Sequence, residues 1–109
     1  MADDGMTLDA LRAEIDRLDD AIVRLLDRRA RCASEVGRLK REIGMRIYEP
    51  GREAVVIAHV KAVNAGLDGP LTAEAIERLY ERVMDEARRI QRVEIERHTG
   101  GASAPETES

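Results

Sequence analysis

Two basic residues, Arg29 and Lys40, lie eleven positions apart in a segment whose apolar residues repeat with a helical period. Eleven residues come within about 20° of three full helical turns, so both side chains share one stripe, about 16 Å apart along the axis. A cation on the packing side of a helix is costly to bury unless an anion meets it. Each side chain could instead leave the edge of the stripe and keep its charge in water. The pair predicts a pocket for an anionic ligand.

Four further residues are candidates for the same chemistry. Arg12 precedes Arg29 by seventeen residues, about 100° round the helix, so it either lies in water or reaches the pocket of a partner chain. Arg52 and Glu53 stand where a second helix begins; an Arg there can clamp a carboxylate, and a Glu also favours a helix N-terminus. Gln91 is in line with Tyr80, Met84 and Ala87 on a third helix, where a lone Gln is ordinarily a surface residue.

A long first helix must position Arg29 and Lys40. Its apolar residues form what we call the first stripe: Leu8, Leu11, Ile15, Leu18, Ile22, Leu25, Cys32, Val36, Leu39 and Ile43, with Arg29 between Leu25 and Cys32. The spacing predicts a helix over residues 8–43, capped by Thr7 and ended by Gly44. At about 1.5 Å per residue this helix is about 54 Å long, whereas a compact monomer of this size has a radius of gyration of about 13 Å. The mismatch predicts that a second copy covers part of the helix.

Two more helices follow. Pro50 and Gly51 open the second, which Gly66 is expected to end, and Thr72 caps the third. The apolar residues of the third helix form the third-helix stripe: Ile76, Leu79, Val83, Ile90 and Val93. The prediction is an all-α single domain with a long, a short and a long helix, in which residues 1–7 are a flexible leader, 8–98 the helical domain and 99–109 a disordered tail.

Composition narrows the classes of function. The 109 residues are 43% hydrophobic and 37% charged, with a net charge of −4, and acids interrupt the basic runs DRRAR and EARRIQR. This balance argues against nucleic-acid binding, and the two runs are expected to be solvated faces. The single Cys, an acidic N-terminus and the lack of a long apolar run predict a soluble, cytoplasmic protein without a membrane segment. His59 and His98 belong to no cluster with metal-ligand spacing.

Three segments together resemble the all-helical chorismate mutases (AroQ class): LDALRAEIDRLDDAIVRLLDRRARCASEVGRLK, EPGRE and RLYERVMDEARRIQ. The resemblance covers residues 8–92 and is most specific in the first segment, with LR-x-x-ID-x-LD, LL-x-x-R and VG-x-x-K. It implies an intertwined helical homodimer with two shared active sites. It also implies an isomerase that converts chorismate, a small dicarboxylate, to prephenate in aromatic amino acid biosynthesis, without a cofactor or metal.

The resemblance assigns a role to each matching position. Arg29 would bind one substrate carboxylate, and Arg12 of the other chain would bind a carboxylate across the dimer. Lys40 and Gln91 would donate hydrogen bonds to the ether oxygen. Arg52 matches the loop arginine of the family, and Glu53 would hold the ring hydroxyl.

Two positions depart from the family pattern. Glu49 stands where many members have Asp, beside the ring-hydroxyl contact, and Ala87 stands where some have a Ser near a carboxylate. These departures leave three related activities open: chorismate mutase, 4-amino-4-deoxychorismate mutase and isochorismate-pyruvate lyase. The amino analogue is an option because its cation would meet the carboxylates of Glu49 and Glu53. A non-catalytic helical dimer that regulates or assembles with another enzyme is the remaining alternative.

Overall fold

The structure, a computed structural model, describes residues 7–103, with side chains up to Arg97. In this range the chain forms three helices: α1 (Leu8–Ile43), α2 (Pro50–Leu67) and α3 (Ala73–Ser103). They contain 36, 18 and 31 residues. The all-α prediction is confirmed. The predicted leader lies outside the described residues except for Thr7, and α3 continues to Ser103, into the segment predicted to be a disordered tail.

The helix starts are capped as the sequence predicts. The hydroxyl of Thr7 accepts a hydrogen bond from the backbone N–H of Ala10 at 3.0 Å, and that of Thr72 accepts one from Ala75 at 3.0 Å. Each threonine therefore satisfies a backbone donor that the helix itself leaves without a partner.

The end of α1 is a Schellman motif. Gly44 has φ of 72°, in the left-handed region, and its N–H donates to the carbonyl of Arg41 at 3.3 Å. The N–H of Met45 donates to the carbonyl of Lys40 at 2.8 Å. These are the two bonds that define the motif, and glycine adopts the required φ without steric strain. The predicted stop at Gly44 is confirmed, and the motif directs residues 45–49 back past Lys40.

The predicted stop of α2 at Gly66 is wrong. The helix continues to Leu67, and Asp68 takes the left-handed conformation with φ of 53°. Asp is one of the few non-glycine residues that tolerate this region. Just before it, the side-chain amide of Asn64 donates to the carbonyl of Leu71 at 2.8 Å, which fixes the turn into α3.

The chain divides into two units, residues 1–32 and residues 33–109. In the first unit the apolar residues of the first stripe are exposed: Leu18 is 50% exposed and Ile22 is 51% exposed. The apolar residues that predict this part of the helix are therefore exposed in the first unit.

In the second unit α1 buries a different face from the one that the apolar pattern indicates. Its buried residues are Ala33, Gly37 and Lys40, whereas Val36 and Leu39 of the first stripe are exposed. Each buried position follows a stripe position by one residue, or about 100° round the helix. Small side chains at residues 33 and 37 allow another backbone to come close.

In α3, too, the buried face differs from the one that the apolar pattern indicates. Leu79 and Val93 of the third-helix stripe are exposed, whereas Met84 and Gln91, which lie beside that stripe, are buried. Among the residues whose side chains are described, Ala33 and Met84 are the buried apolar ones. The described side chains therefore form almost no apolar core, and the polar residues Lys40 and Gln91 are about as well shielded as Ala33 and Met84.

Candidate active site

Lys40 is the most deeply buried charged residue among the described side chains of the second unit, at 5% exposure. Its ammonium nitrogen lies 2.6 Å from the carbonyl oxygen of Ile47, 2.9 Å from the amide oxygen of Gln91 and 2.9 Å from a carboxylate oxygen of Glu49. An ammonium group has three hydrogens to donate, and each has an acceptor here. A buried lysine is tolerated when it is paired and hydrogen-bonded in this way.

Gln91 is held against α1 by a close approach of two helices. A Cβ atom built on Gly37 would lie 2.9 Å from Cα of Gln91, closer than real Cβ atoms approach, and 3.2 Å from its Cβ. Gly37 is therefore required for the amide to reach Lys40 across the two helices. Since the amide oxygen accepts from Lys40, the amide nitrogen is the group that can donate to a ligand.

Glu49 connects the loop to this pair. It is the N-cap residue of α2, with φ of −127° and ψ of 84°, and its side chain makes no cap hydrogen bond. Its extended backbone fits its position before Pro50, because the proline ring disfavours the helical conformation at the preceding residue. The carboxylate pairs with Lys40 instead, and the side chain remains one-third exposed, at 33%.

Glu53 lies one turn into α2 and pairs with Arg88 on α3. Its carboxylate accepts a hydrogen bond from the guanidinium of Arg88 on α3. The same guanidinium donates to Asp85 and lies 5.5 Å from the centre of the Tyr48 ring. The hydrogen bond to Glu53 is the main cause that raises the pKa of Arg88 above its ordinary value.

The remaining predicted residues are Arg12, Arg29, Arg52 and Ala87. Arg12 and Arg29 are in the first unit, where Arg12 is exposed and Arg29 half-buried. In the second unit Arg52 is exposed and Ala87 is half-buried on α3. The second unit thus brings Lys40, Glu49 and Gln91 together, and separately brings Glu53 to Arg88.

Three contributors were not identified from the sequence. Arg88 belongs to the run EARRIQR, for which the sequence predicts a solvated face, yet its side chain is only 25% exposed. The Ile47 carbonyl has no sequence signature because it is a backbone group. Gly37 did carry a signal, since a glycine inside a strong helical pattern usually marks a close packing contact.

A separate open groove of about 420 Å³ lies between α2 and α3. Glu53, Lys61, Glu77 and Met84 are among the residues that line it. Lys61 and Glu77 form an ion pair across it at 2.8 Å, with both side chains 38% exposed. This pair joins the two helices but lies outside the cluster around Lys40.

None of the helices within residues 7–103 combines the length and the apolar character that a membrane crossing requires.

Comparison with known proteins matches residues 11–92 to the model of the chorismate mutase type II family. The chain is 42% identical over 82 residues to a bifunctional chorismate mutase/prephenate dehydratase of Stutzerimonas stutzeri, covering 71% of this chain and 22% of that protein. A protein of the same description from Pseudomonas aeruginosa is 39% identical over 89 residues, covering 77% and 23%. The chain therefore spans about a fifth of the length of these curated relatives.

Solved structures give the same result for the fold. A structure of chorismate mutase (form II) from Thermus thermophilus aligns with a TM-score of 0.73 and 35% identity, over 78% of this chain and 93% of that one. Form I of that enzyme aligns with a TM-score of 0.68 and 38% identity, over 73% of this chain and 96% of that one. The residues matched by the family model include Lys40, Glu49, Glu53 and Gln91. This all-helical chain belongs to the chorismate mutase type II family.

Proposed function

We propose that this chain catalyses the rearrangement of chorismate to prephenate, as an isomerase of aromatic amino acid biosynthesis. The observation that carries the proposal is the buried pair of Lys40 and Gln91, joined at 2.9 Å. These residues are 5% and 9% exposed in a chain that shields very few of its other described side chains. A cation and an amide held so firmly are suited to stabilise negative charge that develops on a ligand.

The reaction is a Claisen rearrangement within one molecule. The ether C–O bond breaks while a C–C bond forms elsewhere in the same substrate, and no proton or electron is gained or lost. Two contributions are sufficient: restriction of the substrate to its reactive conformation and donors directed at the ether oxygen. The ammonium of Lys40 and the amide nitrogen of Gln91 supply those donors, so the step requires no nucleophile, metal or cofactor.

Lys40 must exchange one of its acceptors when substrate binds, because all three of its hydrogens already have one. The carbonyl of Ile47 is fixed by the backbone, and Gln91 is fixed against Gly37. Glu49 is the acceptor on a side chain that is one-third exposed. We infer that the carboxylate of Glu49 turns out into water when substrate binds and leaves its place beside Lys40 to the ether oxygen.

The two substrate carboxylates require cations. By resemblance to the family, Arg29 binds one of them, and Arg12 of the partner chain binds the other, with Arg52 as the loop arginine. Glu53 accepts a hydrogen bond from the ring hydroxyl, and Ala87 contributes only its backbone and a small surface. Arginine suits the carboxylate role because its guanidinium forms paired hydrogen bonds with both oxygens of a carboxylate.

The working unit is a homodimer in which the long helices of two copies intertwine and share two sites. Support comes from the apolar surface that each unit leaves exposed, including Ile15, Leu18 and Ile22 in the first unit and Leu79 and Val93 in the second. Soluble proteins rarely expose continuous apolar stripes of this kind unless a partner covers them. Sedimentation at micromolar concentration should find a dimer, and a stable folded monomer would contradict both the dimer and the shared site.

Incubation of the purified chain with chorismate, isochorismate and 4-amino-4-deoxychorismate tests the activity. We expect formation of prephenate from chorismate, with the other two compounds converted more slowly. Pyruvate release from isochorismate as the main reaction would instead indicate a lyase. Failure to turn over any of the three would favour the non-catalytic helical dimer.

A cytoplasmic location remains a prediction from the single cysteine.

A further inference from the structure

Arg88 is fixed on three sides by its neighbours. Its guanidinium donates to Glu53 on α2 and to Asp85 on α3, and it lies over the ring of Tyr48 at 5.5 Å. The side chains of Arg88 and Glu53 are 25% and 22% exposed, so water screens this pair less than it screens the surface pairs of α1. Arg88 also precedes Gln91 by three residues, which places it one helical turn from the proposed donor pair.

The pairing changes the charge that a ligand would meet. The sequence offers two carboxylates, Glu49 and Glu53, to the substituent on the substrate ring. In the ligand-free chain each has a cation beside it: Lys40 lies 2.9 Å from Glu49, and Arg88 is hydrogen-bonded to Glu53. Once Glu49 has turned out into water, Glu53 is the carboxylate that remains at the ring substituent. An arginine keeps its positive charge across the pH range of any enzyme assay, and that hydrogen bond raises the pKa of Arg88 further.

We propose that Arg88 is a specificity-determining residue: by neutralising Glu53 it makes the ring-substituent contact favour a neutral hydroxyl over an ammonium group. The inference rests on the proposed function and on the role given there to Glu53. A carboxylate has several lone pairs, so Glu53 can accept from a hydroxyl while it still accepts from Arg88. An ammonium at the same place would face a guanidinium already bound to that carboxylate, and juxtaposed like charges reject the wrong ligand.

The test compares kcat/KM for chorismate with kcat/KM for 4-amino-4-deoxychorismate. The wild-type chain should prefer chorismate by about tenfold or more, as expected for like charges within a few ångströms at a partly shielded site. Arg88→Leu and Arg88→Gln both remove the positive charge, and Gln keeps a hydrogen-bond donor for Glu53. Both should shift the ratio by about tenfold towards the amino substrate.

Three controls separate charge from structure. Arg88→Lys keeps the cation and should keep the wild-type preference. Arg89→Leu removes a neighbouring arginine whose side chain is 71% exposed, and should leave the ratio unchanged. The double variant Arg88→Gln with Glu53→Gln should not show the shift of the kcat/KM ratio towards the amino substrate. That shift requires the carboxylate of Glu53, which the second substitution removes.

The outcomes are distinct. If the wild-type chain has the same kcat/KM for the amino substrate as for chorismate, the inference is overturned without any variant. An unchanged ratio in a folded Arg88→Gln chain overturns it too. A wild-type chain inactive on both compounds overturns the proposed function, and the inference falls with it. A loss of activity in Arg88→Gln that is equal for both substrates would assign Arg88 a structural role only.

Discussion

Gly37 and Gln91 are in such close contact that a single methyl group at residue 37 would collide with the opposite backbone. The nearest atom to a Cβ at that position would be Cα of Gln91, at 2.9 Å. Glycine inside a helix is about 1 kcal/mol less favourable than alanine, so its presence here is explained by packing and not by helix formation. The same contact delivers the amide of Gln91 to Lys40.

Gly37→Ala should therefore destabilise the protein by about 1–3 kcal/mol, because α1 and α3 must move apart. Its activity on chorismate should fall as well, since Gln91 moves away from Lys40. Gly66→Ala is the matched control: it lies inside α2 with open space around the added methyl group, and should stabilise by about 0.4–1 kcal/mol. Urea unfolding at one fixed protein concentration measures both. Equal stability of the two variants would contradict the packing role of Gly37.

Lys40→Met should lower kcat by a factor on the order of 10²–10³, the usual effect of removing one donor to a developing negative charge. It should also cost about 1–3 kcal/mol of stability, because the acceptors around the ammonium lose their buried donor. Lys61→Met removes an equally long cation from the groove between α2 and α3 and should leave kcat unchanged. Near-wild-type turnover in a folded Lys40→Met protein would show that Lys40 is structural.

Arg12→Ala and Gln91→Ala should each give nearly inactive homodimers if Arg12 serves the partner's site. When the two variants are mixed and exchange subunits, one site of each mixed dimer carries both defects and the other carries neither. Random pairing makes about half of the dimers mixed, so about a quarter of wild-type activity should return. No recovery after verified subunit exchange would falsify the role of Arg12 across the dimer.

The ion pair of Lys61 and Glu77 should make a contribution to stability that depends on pH. The hydrogen bond between them lowers the pKa of Glu77 and raises the pKa of Lys61. A lowered carboxyl pKa gives stability that is present above the ordinary value for Glu, about 4.3, and is lost as pH falls through the lowered value. A raised lysine pKa gives stability that is lost as pH rises through the raised value.

The difference in unfolding free energy between wild type and Lys61→Met should therefore be constant near neutral pH and shrink towards zero in acid. Urea unfolding of both proteins over the acidic range measures this difference. Arg31→Met is a matched control, because Arg31 forms its ion pair with Asp27 on one exposed face of α1. A difference for Lys61→Met that grows in acid would contradict the assignment of this pair.

The amino-acid sequence by itself determined the helices. The bounds of α1, both threonine caps and the stop at Gly44 follow from interactions within a few residues, such as apolar periodicity, side-chain capping and the conformational freedom of glycine. Local reasoning failed at Gly66, because Asp68 also tolerates the left-handed conformation and the sequence does not rank the two positions. Lys40 and Gln91 could be proposed from motif spacing, because their family pattern is carried by the helices themselves.

Only the tertiary structure decided which helix faces are buried and which charges are paired. The buried face of α1 is that of Ala33, Gly37 and Lys40, because small residues admit a neighbouring backbone that the larger residues of the first stripe would keep away. Arg88 and Glu53 are 35 residues apart, and Lys40 and Gln91 are 51 apart. Helical periodicity fixes directions only within one helix, so contacts at such separations depend on how the helices pack. For this reason the sequence predicts a cationic site, whereas the tertiary structure decides which of its carboxylates are already neutralised.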